Sequence, residues 1–141
     1  MPVTATPQTA PGYVALTPGA GYLKNVGPLG TDGLTQDDLD TAAAAASARI
    51  DAALSGHFDI AGWPEATPPI VARIAELLAS ADVLDFKHAR HDPATKDPFA
   101  ESLRAEAEFL LRQLRTGRLR IVGPDGAVQQ RTAATPNIGR A

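Results

Sequence analysis

Five prolines and six glycines fall within the first 34 residues: Pro2, Pro7, Pro11, Pro18 and Pro28, with Gly12, Gly19, Gly21, Gly27, Gly30 and Gly33. Proline removes a backbone donor and fixes φ, and glycine makes regular structure entropically costly, so this stretch forbids a regular helix or central strand. Its only charges are Lys24 and Asp32, yet Tyr13, Val14, Leu16, Tyr22, Leu23, Val26 and Leu29 are spaced along it. Ordinary disordered linkers are charged and poor in aromatics. The expectation is an extended arm, residues 1–34, that docks on a neighbour, with Tyr13, Leu16, Tyr22 and Leu23 as subunit-interface residues. A merely loose terminus is the plainer alternative. Removing residues 1–30 is expected to leave the helices intact.

Beyond the arm, apolar residues recur at helical spacing in three segments, which together make a helical domain over 35–122. The first opens at Thr35, where Thr35 and Asp38 form a variant capping box and Asp37 and Asp38 complement the helix dipole. Leu39, Ala43, Ala46, Ile50 and Leu54 share one face, and Gly56 ends the run. Its five alanines, Ala42 to Ala46, propagate helix well and allow another backbone to approach closely. A loop from His57 to Pro69 carries Phe58, Ile60 and Trp63, which are expected to fold back over the helices. The second helix starts after Pro68 and Pro69, repeats Ile70, Ile74, Leu77, Leu78, Ala81 and Leu84, and fades near His88. The third runs from about Pro98 to Thr116 with Phe99, Leu103, Ala107, Leu110 and Leu114 inward, and Gly117 is its C-cap.

Leu119-Arg120-Ile121-Val122 alternates like a half-buried strand, and Gly123-Pro124-Asp125-Gly126 is a turn signal, so a short hairpin is expected. Residues 123–141 then form a turn and a mildly basic tail without periodicity. The fold class is all-α: a small three- to four-helix bundle with a short C-terminal β-hairpin and extended N- and C-terminal arms.

The chain has no cysteine, which excludes disulfides and thiolate metal sites. No apolar run approaches the roughly 18 residues of a membrane span, so a soluble protein made in the cytoplasm is expected, with no membrane partner. A net charge of −3 with mixed signs gives no general field for gripping phosphate backbones. No G-x-S-x-G elbow or phosphate loop is present, no catalytic residue is named, and neither cofactor nor enzymatic activity is expected. Asp85, His88, His91 and Asp92 are the only titratable cluster, and a solvated helix end explains them more simply than a metal does. On the third helix Glu101, Arg104, Glu108 and Arg112 alternate in charge, with Glu108 and Arg112 spaced to pair. These four are candidate subunit-interface residues that could meet their complement across a ring boundary.

Three segments carry a resemblance: Ala46-Ser47-Ala48-Arg49-Ile50-Asp51-Ala52-Ala53-Leu54, Pro69-Ile70-Val71-Ala72-Arg73-Ile74-Ala75, and Ala107-Glu108-Phe109-Leu110-Leu111-Arg112-Gln113-Leu114 followed by Gly117. In their order and spacing they resemble the head–tail connector adaptors of tailed phages and gene transfer particles, across about half the chain. The resemblance implies a homo-oligomeric ring, a dodecamer, in the neck of the virion or phage-like particle. Such a ring docks on the portal protein, is continued by a stopper or tail-completion protein, and lets DNA pass as cargo during packaging and ejection. It also implies that the tail binds the portal, through Arg131, Thr132, Thr135, Pro136, Asn137, Ile138 and Arg140. The long Pro/Gly arm departs from the usual pattern.

A winged-helix DNA-binding regulator is the alternative, since the second and third helices and the turn at 123–126 imitate its layout. The long link from about Lys87 to Asp97, and Glu101, Glu106 and Glu108 on the would-be recognition helix, count against it.

Overall fold

The computed structural model describes residues 12–30, 34–92, 94–95 and 97–132. Three helices carry the fold: α1 (Gln36–Leu54), α2 (Pro69–His91) and α3 (Pro98–Arg115), preceded by a 3-10 turn at Gly21–Leu23. Each start is written locally. Thr35 and Asp38 close a reciprocal capping box on α1, Pro69 occupies the first turn of α2, and the Asp97 carboxylate accepts from the Phe99 N–H at the head of α3. The end of α3 is equally local. The Arg118 N–H donates to the Gln113 carbonyl and the Gly117 N–H to that of Leu114, a Schellman closure that requires Gly117 at φ +82°.

α2 lies between the other two helices and packs extensively on both, whereas α1 and α3 touch each other less. Consecutive Leu77, Leu78, Ala79, Ser80 and Ala81 are all buried, as expected of a helix covered on most sides. The first turns of α1 (Asp38, Thr41, Ala42) share a hollow with the end of α2 (Val83, Phe86), so these two helices run antiparallel. α1 contributes the expected face, Leu39, Ala43, Ala46, Ile50 and Leu54.

Two helix expectations are corrected. α2 continues to His91, so the link to α3 is short, residues 92–97. On α3 the buried stripe is Ala100, Leu103, Ala107, Leu111 and Leu114, while Phe99 is 50% exposed and Leu110 half-buried. Small Ala100 lets the head of α3 approach its neighbours, where a phenylalanine ring would hold it off.

The arm is corrected as well. Residues 12–30 pack on this chain's own helices, with Tyr13, Leu23, Val26 and, after them, Leu34 inside the hydrophobic core that the helices share. Gly12 makes the approach possible: at φ +86°, a Cβ there would lie 2.0 Å from Ser47 Oγ. The space is used by a hydrogen bond from the Tyr13 N–H to that hydroxyl, at 2.8 Å.

After α3 the described residues contain no strand. One isolated antiparallel bridge, Val122 with Val128, stands in place of the expected hairpin ladder, closed by bonds from the Gly123 N–H to the Ala127 carbonyl and from the Gln129 N–H to the Ile121 carbonyl. Ile121 points inward and is fully buried, whereas Val122 and Val128 are exposed.

Candidate interaction surfaces

The loop after α1 is the point where the N-terminal and C-terminal segments meet. Phe58 and Trp63 fold back into the core there, and the Tyr13 ring stands edge-on to Trp63 at 6.0 Å between centroids. The Tyr13 hydroxyl donates to the Asp51 carboxylate on α1. From the other side, Trp63 Nε1–H donates to Gln129 Oε1 at 2.8 Å, and Gln129 Nε2 donates to the Asp59 carbonyl.

This environment acts on the Tyr13 phenol. Burial first, then the hydrogen bond to Asp51 and the charge of that carboxylate, push its pKa above the ordinary tyrosine range. The folded state therefore holds the proton more tightly than the unfolded chain, in which tyrosine titrates near about 10. The stability this group contributes is fully present below that pH and is lost as pH rises beyond it, at up to about 1.4 kcal/mol per pH unit. Urea unfolding followed from about pH 8 to about pH 11 should show an alkaline decline that Tyr13→Phe makes shallower. Equal slopes in the two proteins would contradict the assignment.

Next to this junction sits the root of the tail. Arg131 reaches the end of α3, donating from Nη1 to the Leu114 carbonyl at 2.8 Å and from Nη2 to the Arg115 carbonyl at 2.9 Å. Its guanidinium lies 5.3 Å from the centroid of the Phe58 ring, and Nη2 also approaches His57 Nδ1 at 3.2 Å. An arginine can only donate, so Nδ1 is the acceptor. The Thr132 N–H donates to the His57 carbonyl. Cationic donors on the last carbonyls of a helix are favoured by its dipole, so Arg131 and Thr132 are pinned to the body.

No family model matches this chain, and neither a curated protein nor a solved structure was found to match it.

The residues expected at a subunit boundary divide into two groups. Tyr13 and Leu23 lie in the chain's own core, 7% and 1% exposed, which corrects their assignment to a neighbour's surface. Leu16 and Tyr22 are half-buried and packed against that core. Arg104 is held by two carboxylates of α2, Asp82 at 2.9 Å and Asp85 at 2.7 Å. Burial works against its charge, and the hydrogen bonds it donates to these two acids outweigh that cost. Glu108 pairs with Arg49 of α1 instead of Arg112, because a helix packed alongside offers a closer partner than the next turn. Glu101 and Arg112 are exposed on α3 and engage no other charge among the described residues. Of the tail residues, Arg131 and Thr132 are fastened to this chain, while Thr135, Pro136, Asn137, Ile138 and Arg140 lie outside the described residues.

Of the titratable cluster at the end of α2, the His91 side chain lies outside what is described, and the other three members are engaged in hydrogen bonds. Thr95 Oγ1 donates to Asp92 and meets His88 Nε2 at 2.8 Å, while Asp85 is taken by Arg104. Among the described residues no three His, Cys, Asp or Glu side chains are grouped to hold a metal. No described helix is long and apolar enough to cross a membrane.

Exposed apolar side chains are what sequence reasoning missed. Phe99 and Phe109 stand out from α3, 50% and 52% exposed, together with Val122 and Val128 on the bridge. The signal was present in the choice between two stripes on α3 that share Leu103, Ala107 and Leu114.

Proposed function

We propose that this chain is a structural head–tail connector, an adaptor that assembles as a ring beneath the portal of a tailed phage or phage-like particle. In that role it links the portal to a stopper or tail-completion protein and lets DNA pass. The reading is carried by one observation. The three segments that resemble connectors supply buried faces to one small helical body: Ala46, Ile50 and Leu54; Val71, Ile74 and Ala75; Ala107, Leu111 and Leu114.

The mechanism is assembly. The body is a self-contained brick, so ring contacts must come from its outer surface. Exposed Phe99 and Phe109 with the charges Glu101 and Arg112 make α3 the face for a neighbouring subunit. Arg131 and Thr132 are fastened to the body, and the tail residues Thr135, Pro136, Asn137, Ile138 and Arg140, outside the described residues, are assigned to the portal. Many tails on one rigid ring gain affinity through effective concentration.

Co-purification with a portal protein, by the full chain and by one ending at Thr132, tests this. Loss of portal binding on truncation, with a concentration-dependent ring in native mass spectrometry, is the expected result. A chain that stays monomeric at every concentration and binds duplex DNA with steep salt dependence would replace the connector with the winged-helix regulator.

A further inference from the structure

The arginines of this chain are distributed unevenly. Arg49, Arg73 and Arg104 each pair with a carboxylate on another helix. From Arg112 to Arg131 there are five arginines and a single acid, Asp125. Arg112, Arg115, Arg118 and Arg120 are all exposed and have no ion-pair partner among the described residues. Arg131 meets two carbonyls at the end of α3, a ring nitrogen and a phenyl face, and pairs with no carboxylate among the described residues. The helix dipole accounts for Arg112 and Arg115 in the last turn of α3, but its effect ends with that turn and leaves Arg118 and Arg120 unexplained.

A second, independent observation lies beside them. A groove of about 510 Å³ runs between the end of α3 and the bridged turn, with Arg120, Arg131 and Gln130 as its polar walls and Leu119, Val128 and Phe58 as its apolar ones. No carboxylate lines it. Three other hollows on the molecule each include at least one: Asp38 and Asp82, Glu76, and Asp97.

We infer that this groove is a docking site for an acidic segment of a partner protein, one that places an apolar side chain between carboxylates. A carboxylate meets the Arg120 guanidinium, whose planar fork suits two oxygens, and the charges of neighbouring Arg118 and Arg131 add to its attraction. The apolar side chain covers Leu119 and Val128, the latter 44% exposed. A phosphate backbone would use the arginines but gain nothing from the apolar wall formed by Leu119, Val128 and Phe58. The chain's own tail is disfavoured as occupant, since residues 133–141 contain Arg140 and no acidic residue. This surface goes beyond the connector reading and depends on its own chemistry alone.

The test is fluorescence anisotropy on the full chain with a short labelled peptide of glutamates and aspartates bearing two leucines. Three comparison probes are the same peptide with amides for carboxylates, the same peptide with serines for leucines, and duplex DNA. The acidic, leucine-bearing peptide should bind at least about tenfold more tightly than any of the three. The double variant Arg118→Gln, Arg120→Gln should weaken it about tenfold or more, and Val128→Asp should abolish binding. All three positions are exposed, so circular dichroism should be unchanged. Tighter binding of duplex DNA would turn the surface into a nucleic-acid site. Peptide binding indifferent to the arginines, or absent altogether, would overturn the proposal.

Discussion

Deleting residues 1–30 is expected to destabilise the helical body severely. The deletion takes away Tyr13, Leu23 and Val26, each buried in the common core and worth roughly 1.5–3 kcal/mol of transfer free energy. It also removes the hydrogen bonds that Tyr13 makes to Ser47 and Asp51 on α1, each worth a net of roughly 0.5–1.5 kcal/mol once water replaces the lost partner. The chain freedom regained by losing the arm offsets part of this. A net loss of at least about 3 kcal/mol should remain, a large share of a stability that is ordinarily about 5–15 kcal/mol. Thermal melts followed by circular dichroism should shift down by roughly 10 °C or more, and the helical signal at physiological temperature should fall. Leu23→Ala should reproduce a fraction of the shift, bounded above by the free energy of docking the arm. A truncated chain that melts where the full one does would place the arm outside the folded unit.

How much of this was legible depended on how local each cause is. Capping by Thr35 and Asp38, the proline start of α2 and the Gly117 stop are decided within a few residues, and the sequence carries them openly. The choice between two stripes on α3 is not local, because Leu103, Ala107 and Leu114 belong to both and only packing selects Ala100 and Leu111 over Phe99 and Leu110. The arm was legible as something that must be covered, since its apolar residues have no internal period. Which surface covers it was hidden, because the seat depends on the close approach of Gly12 to Ser47, 35 positions away along the chain. The i to i+4 spacing of Glu108 and Arg112 misled for the same reason: Arg49 becomes available only once α1 lies beside α3. For the docking groove, the run of arginines from Arg112 to Arg131 was a signal in plain view. Its apolar wall appears only when the bridged turn brings Val128 back beside Leu119.

Replacing Trp63 by alanine should be the most costly single substitution in the loop between α1 and α2, at about 3–5 kcal/mol. The ring is 3% exposed and touches the arm through Tyr13, the loop through Phe58 and the C-terminal segment through Gln129. Its removal therefore opens a cavity where three chain segments meet, and it strands Gln129 Oε1 as well. Trp63→Phe separates these effects, since it keeps most of the apolar contact and loses only the indole donor and some volume. That variant should cost about 1–2 kcal/mol. Because Trp63 is the only tryptophan, circular dichroism in urea must follow both variants, while in the parent chain its fluorescence reports the junction directly. Hydrogen exchange supplies the sharper reading. If the ring couples the two ends of the chain, Trp63→Ala should lower protection at the amides of Leu23, Val26 and Gln129 together, in excess of any change at the centre of α2. Loss confined to one end would mean that the arm and the C-terminal segment are anchored separately, and that Trp63 only fills space between them.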